Sequence, residues 1–193
     1  MLEKLKEAVD SVLQFTAEEW EAYTHRIEIK HFKKGDVLCD VGQVENYIYF
    51  LNSGATRNFF IKDGKELTVD FRLEGTFVAA YYSFLSRKPS PIRIEAITDI
   101  EACCIPHSSL YLFYKKHKNG EKLGRLMAEI QYMKRLEREI EILSMTAEER
   151  YALLLKQNPA LVSAISVKHL SSYLGIHPES LSRIRKQVAA KLT

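Results

Sequence analysis

Hydrophobic positions along this chain follow two different periods. Leu67, Val69, Phe71 and Leu73 alternate with Glu66, Thr68, Asp70 and Arg72, the pattern of a strand with one buried face. Asp63-Gly64 precedes this run, and Phe59-Phe60-Ile61 precedes that pair. An Asp-Gly between two such runs predicts a hairpin, because its turn requires positive φ. Lys34-Gly35-Asp36 and Ser53-Gly54 mark further turns. Ile92 and Ile94 alternate with Arg93 and Glu95, and Ile100-Glu101-Ala102 leads on to Ile105. Short strands at this spacing, from about Ile27 to Ile105, predict a small antiparallel barrel or jelly roll. One apolar, aromatic stretch, Phe77 to Leu85, carries no turn signal and predicts a short helix after Gly75.

Elsewhere the period is helical. Thr16-Ala-Glu-Glu19 reads as a capping box ahead of Trp20 and Tyr23. Pro106-His107-Ser108 ends the strands, with Ser108 placed to cap a short helix. After Asn119-Gly120 a long helix is predicted, on which Leu123, Leu126, Ile130, Met133, Leu136, Ile140 and Leu143 recur every three or four residues. Charged residues fill most other positions, so the apolar stripe is narrow, as in a two-stranded coiled coil. The stripe predicts a dimer seam. Thr146-Ala-Glu-Glu149 is a second capping box and implies a new helix after Leu143.

The last segment predicts two short helices with a tight turn. Ser166 caps the first and Gly175 ends it; Leu170 and Leu174 give it an inner face. Ile176 fills the turn and Pro178 opens the second helix, where its missing N–H is harmless. Leu181, Ile184 and Val188 form that helix's inner face. Two helices joined by a Gly-containing turn of three or four residues define a helix-turn-helix. Glu179, Ser180, Ser182, Arg183 and Lys186 lie outward, with Arg185 and Gln187 toward the flanks. Arg reads guanine O6 and N7, and Glu accepts from cytosine N4. With Lys168, these residues are the candidate DNA contacts.

Composition sharpens this picture only locally. The 193 residues carry a net charge of +3, of which +4 falls in Met145–Thr193 and −1 in the remainder. A basic module of this size is the electrostatic footprint of a polyanion binder. No apolar run reaches the ~20 residues of a membrane span, and the N-terminus lacks a signal peptide's apolar stretch; the expected location is the cytoplasm. Cys39, Cys103 and Cys104 are odd in number and show no Cys-x-x-Cys spacing. Adjacent residues on a strand face opposite sides, so the three are expected to be buried hydrophobes, with no metal or iron–sulfur site. No nucleophile–base arrangement, Walker loop or His-Glu-x-x-His helix occurs, and an enzyme is not expected.

Phe32-Lys-Lys-Gly35-Asp36, Gly42, and Tyr49-Phe50-Leu51-Asn-Ser-Gly54 resemble the sensor roll of the Crp/Fnr family of bacterial transcription regulators. Leu174-Gly175-Ile176 with Glu179-Ser-Leu-Ser-Arg183 resembles its recognition helix, and the likeness runs from about Phe15 to Lys191. The implied fold is α+β: an antiparallel β-roll sensor (1–117), a dimerisation helix (118–144) and a helix-turn-helix (145–193) with no evident wing hairpin. The resemblance implies a homodimer on a palindromic DNA site, base contacts by Glu179 and Arg183, and RNA polymerase as protein partner. The motif's first Arg falls on Pro178, so one base contact is lost. A regulatory module without a DNA role is the competing reading.

In cyclic-nucleotide-binding members, a Glu beside the short helix holds the ribose and an Arg in the following loop neutralises the phosphate. The matching stretch here is Gly75-Thr-Phe-Val-Ala79-Ala80-Tyr81, with Ala at both marker positions, and no Arg between Arg87 and Arg93 falls on the phosphate position. Loss of charge-assisted bonds on both sides of the ligand argues against cyclic nucleotides, and no cofactor is expected. The effector pocket expected instead is less polar, formed by Phe77, Val78, Ala79, Ala80 and Tyr81, with Arg87 and Arg93 at its edge and Tyr82 and Phe84 nearby.

Overall fold

The computed structural model describes residues 2–192. Helices α1 (Glu3–Asp10) and α2 (Ala17–Thr24) precede strands β1 (Glu28–Phe32), β2 (Val37–Cys39), β3 (Tyr47–Ser53), β4 (Ala55–Lys62), β5 (Lys65–Leu73) and β6 (Phe77–Val78). Helix α3 (Tyr81–Ser86), strands β7 (Arg93–Ala96) and β8 (Ile100–Pro106), and helices α4 (His107–Lys116) and α5 (Lys118–Ser144) follow. The chain closes with α6 (Ala147–Gln157), α7 (Pro159–Ala164), α8 (Val167–Leu174) and α9 (Pro178–Leu192). Contacts divide it into two units: residues up to 60 with 70–130, and residues 61–69 with those from 131 onward. The tip of the β4–β5 hairpin thus belongs to the C-terminal unit. No described helix is long and apolar enough to cross a membrane.

The first unit is built on two four-stranded sheets, ordered β1-β8-β3-β6 and β2-β7-β4-β5. Their registered pairs are antiparallel, the jelly-roll arrangement of an α+β protein. Alternation sorts the side chains into two cores. Cys103 stands in register with Ile29 and Phe50. That face is covered by Leu5, Val9, Tyr23, Leu110, Phe113 and Leu123 from the surrounding helices. Cys104 belongs to the opposite face, where Cys39, Tyr49, Leu51, Ile94 and Ala96 fill the space between the sheets. All three thiols are buried. Burial pushes those of Cys39 and Cys104 up to about 12, so they stay protonated and unreactive at neutral pH.

Local signals placed most boundaries. The hairpin turn is Asp63-Gly64, with φ of 52° and 72°. Thr16 and Thr146 both form complete capping boxes with Glu19 and Glu149. Three expectations shift, each for a tertiary reason. Phe77 and Val78 are strand rather than helix, because the edge of β3 is open to them: Val78 pairs with Tyr49 and Phe77 with Phe50. Helix α4 begins at His107 behind Pro106, with no side-chain cap from Ser108; the His107 N–H is instead taken by Asn46 O at 2.8 Å. Helix α5 starts at Lys118 and runs through Gly120. A Cβ at Gly120 would stand 2.7 Å from Phe113 O, so this glycine permits close approach of α4 rather than marking a helix start.

In the second unit Leu161, Val162, Ile165, Leu170, Leu174, Leu181 and Val188 are buried, with Tyr151 of α6. On β5 the expected alternation slips: Leu67 is 37% exposed while Thr68 is 8% exposed. The backbone at Thr68 is engaged by α8, where the Ser172 hydroxyl accepts its N–H at 2.9 Å.

Candidate nucleic-acid interface and sensor pocket

Helices α8 and α9 are fixed to one another by their caps and their shared core. Ser166 Oγ accepts from His169 N–H at 3.2 Å and opens α8. Gly175 closes it with φ +71°, a conformation that favours glycine. The N–H groups of Gly175 and Ile176 return to the carbonyls of Ser172 and Ser171. Pro178 then begins α9. With Leu170, Leu174, Leu181 and Val188 buried, the opposite side of α9 must face outward.

Glu179, Ser182, Arg183 and Lys186 are exposed on that side, and Ser180 is half-buried beside them. Ser182 Oγ donates to Pro178 O at 3.1 Å, which ties it into its own helix. Arg185 is also half-buried, and its Nε is buried without a hydrogen bond; it sits on the flank. Lys168 is exposed near the start of α8, 3.9 Å from the Glu66 carboxylate of the hairpin tip. A basic helix face held by a packed partner helix is suited to entering a groove.

The stripe on α5 divides along its length. Leu123 is 3% exposed and lies in the core of the first unit, so it is not free for a seam. Leu126 and Ile130 are half-buried. Met133, Leu136, Ile140 and Leu143 are exposed at 53%, 37%, 54% and 80%. Their spacing of three, four and three residues is that of one coiled-coil edge.

The residues expected around an effector do not converge. Val78 and Ala80 face the inter-sheet core, whereas Phe77 packs on the helix side. Ala79 is half-buried, and Tyr81 and Tyr82 are exposed. Phe84 is buried with its ring 4.9 Å from that of His107. Arg87 donates to Glu45 O, Phe84 O and Asn46 Oδ1. Arg93 holds Asp40 with two hydrogen bonds, at 2.8 and 2.9 Å. Both guanidinium groups are therefore committed within the chain.

A residue that sequence reasoning missed lies at the centre. Glu45 is 2% exposed. Its carboxylate accepts from Tyr47 N–H at 3.0 Å and Ala80 N–H at 3.2 Å. Its own N–H donates to Ser83 Oγ at 3.0 Å. Burial drives its pKa above the usual carboxylate value, and hydrogen bonds from the N–H groups of Tyr47 and Ala80 partly oppose this. A single Glu in a short loop gives no periodic signal, so only the folded chain reveals it. The Ala80 N–H is thus taken by a carboxylate, and Arg87 and Arg93 are engaged elsewhere in the chain. Among the described residues, no group of three or more His, Cys, Asp or Glu could hold a metal.

Residues 29–117 match the cyclic nucleotide-binding domain family. The chain is 26% identical over 174 residues to the transcriptional activator protein FnrA of Stutzerimonas stutzeri, in a match covering 79% of this chain and 66% of that protein. That match spans just under two thirds of the relative's length. Among solved structures, FixK2 from Bradyrhizobium japonicum is similar at TM-score 0.72 and 22% identity, over 86% of this chain and 85% of that one. A transcriptional regulator of the crp/fnr family from Eubacterium rectale is similar at TM-score 0.71 and 18% identity, over 92% and 85%. The c-di-GMP-responsive regulator CLP of Xanthomonas campestris gives TM-score 0.67 and 16% identity, over 91% and 93%. Residues 29–117 thus carry a cyclic nucleotide-binding domain, and the chain shares the fold of regulators of the Crp/Fnr type.

Proposed function

We propose that this chain is a DNA-binding transcription regulator that acts as a homodimer on a palindromic site. One observation carries the reading: α9 presents Glu179, Arg183 and Lys186 together on the exposed face of a capped, packed helix-turn-helix. Arg183 reads a base edge, and Lys186 holds phosphate. The exposed run Met133–Leu143 on α5 supports pairing of two copies. The two-fold axis then sets half-sites about 10 base pairs apart, one turn of the duplex.

The state of the sensor is set by a signal other than a cyclic nucleotide. Three features support this: Ala at positions 79 and 80, the internal bonds of Arg87 and Arg93, and the Glu45 carboxylate on Ala80 N–H. A phosphate brought to that N–H would meet a buried carboxylate of like charge, which is costly in a low dielectric.

The test begins by selecting bound sites from random duplexes, then compares Arg183→Ala with Lys186→Ala. A bidentate base contact is worth about 1–3 kcal/mol of discrimination, whereas a phosphate contact shifts the salt slope by about one unit. Arg183→Ala is expected to weaken cognate DNA far more than random DNA. Lys186→Ala is expected to weaken both nearly equally and flatten the salt dependence. Equal losses on cognate and random DNA in the Arg183 variant would make it a phosphate clamp. The absence of any DNA binding by the wild type would overturn the regulator reading.

A further inference from the structure

The last turn of α8 is gripped from three directions within the C-terminal unit. The Ser172 hydroxyl bridges the hairpin strand, accepting from Thr68 N–H and donating to Glu66 O, each at 2.9 Å. Arg138 of α5 donates to Tyr173 O at 3.1 Å, and its guanidinium lies 4.0 Å from the centre of the Tyr173 ring. Arg150 of α6 donates to Leu174 O at 2.8 Å and to Met145 O at 2.7 Å.

These contacts complete an account of the helix end. The last four carbonyls of a helix have no partner within it. In α8 the turn itself serves two of them, Ser171 and Ser172, through the N–H groups of Ile176 and Gly175. Arg138 and Arg150 serve the other two, Tyr173 and Leu174. Both are cations placed at the negative end of the helix dipole, where they are favourable. Because the turn after Leu174 is closed by its own hydrogen bonds, fixing this end of α8 also fixes where α9 begins.

Arg138 has a second property. It lies on α5 between Leu136 and Ile140 in sequence, two positions from each and therefore on the face of the helix opposite the exposed stripe that forms the proposed seam. Glu141 accepts from its other terminal nitrogen at 3.2 Å, which holds the guanidinium in place. The same turn of α5 thus faces the two-fold axis on one side and grips the DNA-reading motif on the other.

We infer that Arg138 is a positioning residue: by holding Tyr173 it fixes the recognition helix relative to the dimer axis and so sets the half-site spacing the dimer accepts. This rests on the dimeric DNA-binding reading above. It deepens that reading by naming the contact that converts dimer geometry into site choice. Inserting or deleting one base pair moves a half-site by about 3.4 Å and rotates it by roughly 36°. A rigid link between α5 and α8 penalises such sites; a loosened one tolerates them.

The experiment uses the full-length protein and the selected palindrome, together with versions whose central spacing is one base pair longer or shorter. Binding is measured for wild type, Arg138→Gln, Arg138→Lys and Tyr173→Leu, with the dimerisation constant of each from sedimentation. Wild type is expected to prefer its selected spacing by at least about tenfold. In Arg138→Gln that preference falls to about threefold or less, while affinity for an isolated half-site and dimerisation stay within about twofold. Arg138→Lys, which keeps a donor for Tyr173 O, restores part of the preference. Tyr173→Leu removes the ring but not the carbonyl, and it gives an intermediate loss should Arg138→Gln misfold. Selective wild-type binding with an unchanged spacing preference in both Arg138→Gln and Tyr173→Leu overturns the inference alone. A wild type without sequence-selective binding overturns the regulator reading and the inference with it.

Discussion

The exposed half of the α5 stripe is the feature whose removal has the most readily calculated effect. Met133 and Ile140 are 53% and 54% exposed in the single chain. Fully burying such a side chain contributes about 1.5–3 kcal/mol, so covering the exposed half of each contributes about 1 kcal/mol. The pair is present on both copies, giving four such terms and about 4 kcal/mol of association energy. Replacing both by Glu removes that term and sets carboxylates against each other across the seam. The dissociation constant of Met133→Glu/Ile140→Glu is therefore expected to rise by about three orders of magnitude or more, at roughly 1.4 kcal/mol per decade. Because both side chains already face solvent in the single chain, thermal unfolding of the monomer should change little. Light scattering across a concentration series reads the first quantity, and circular dichroism melts read the second. A double variant that stays dimeric at micromolar concentration would refute the assignment of the seam to this stretch.

Two further outcomes follow from the sensor. Isothermal calorimetry with cyclic AMP or cyclic GMP should show no binding tighter than millimolar; a micromolar constant would mean that the bonds of Arg87 or Glu45 yield to the ligand. Glu45 also predicts a pH dependence, because its pKa is raised in the fold above the ordinary 4.5. The stability gained from its protonation is then fully present below 4.5 and lost as pH rises through the higher folded value. Urea unfolding from pH 4 to 8 should therefore show the wild type losing stability relative to Glu45→Gln as pH rises; a constant difference would place the carboxylate in contact with water.

How much of this was legible in the sequence depends on how far each signal reaches along the chain. Capping boxes at Thr16 and Thr146, the Asp63-Gly64 turn, the Gly175 stop and the Pro178 start involve groups within a few residues of one another. Their energetics are local, and the chain realises them as read. Faces set by period were legible on β8 for the same reason, since Cys103 and Cys104 part to opposite cores as neighbours on any strand must, but not on β5, where Thr68 is buried and Leu67 exposed. The outward set Glu179, Arg183 and Lys186 follows from the inward set Leu181 and Val188.

The structure alone decided whatever depends on a distant partner. Phe77 and Val78 became strand because β3 offered them an edge. Leu123 left the stripe for the core of the first unit because Leu110 and Phe113 already formed its other wall. Arg87 and Arg93 carry the charge that a phosphate needs, but the fold brings Asn46 and Asp40 to them first. Glu45 and Ala80 are 35 residues apart, and Ser172 and Thr68 are 104 apart. Periodicity reports which face of an element is buried; it carries no information about which side chain from another element will meet that face, since that is settled only when the chain closes.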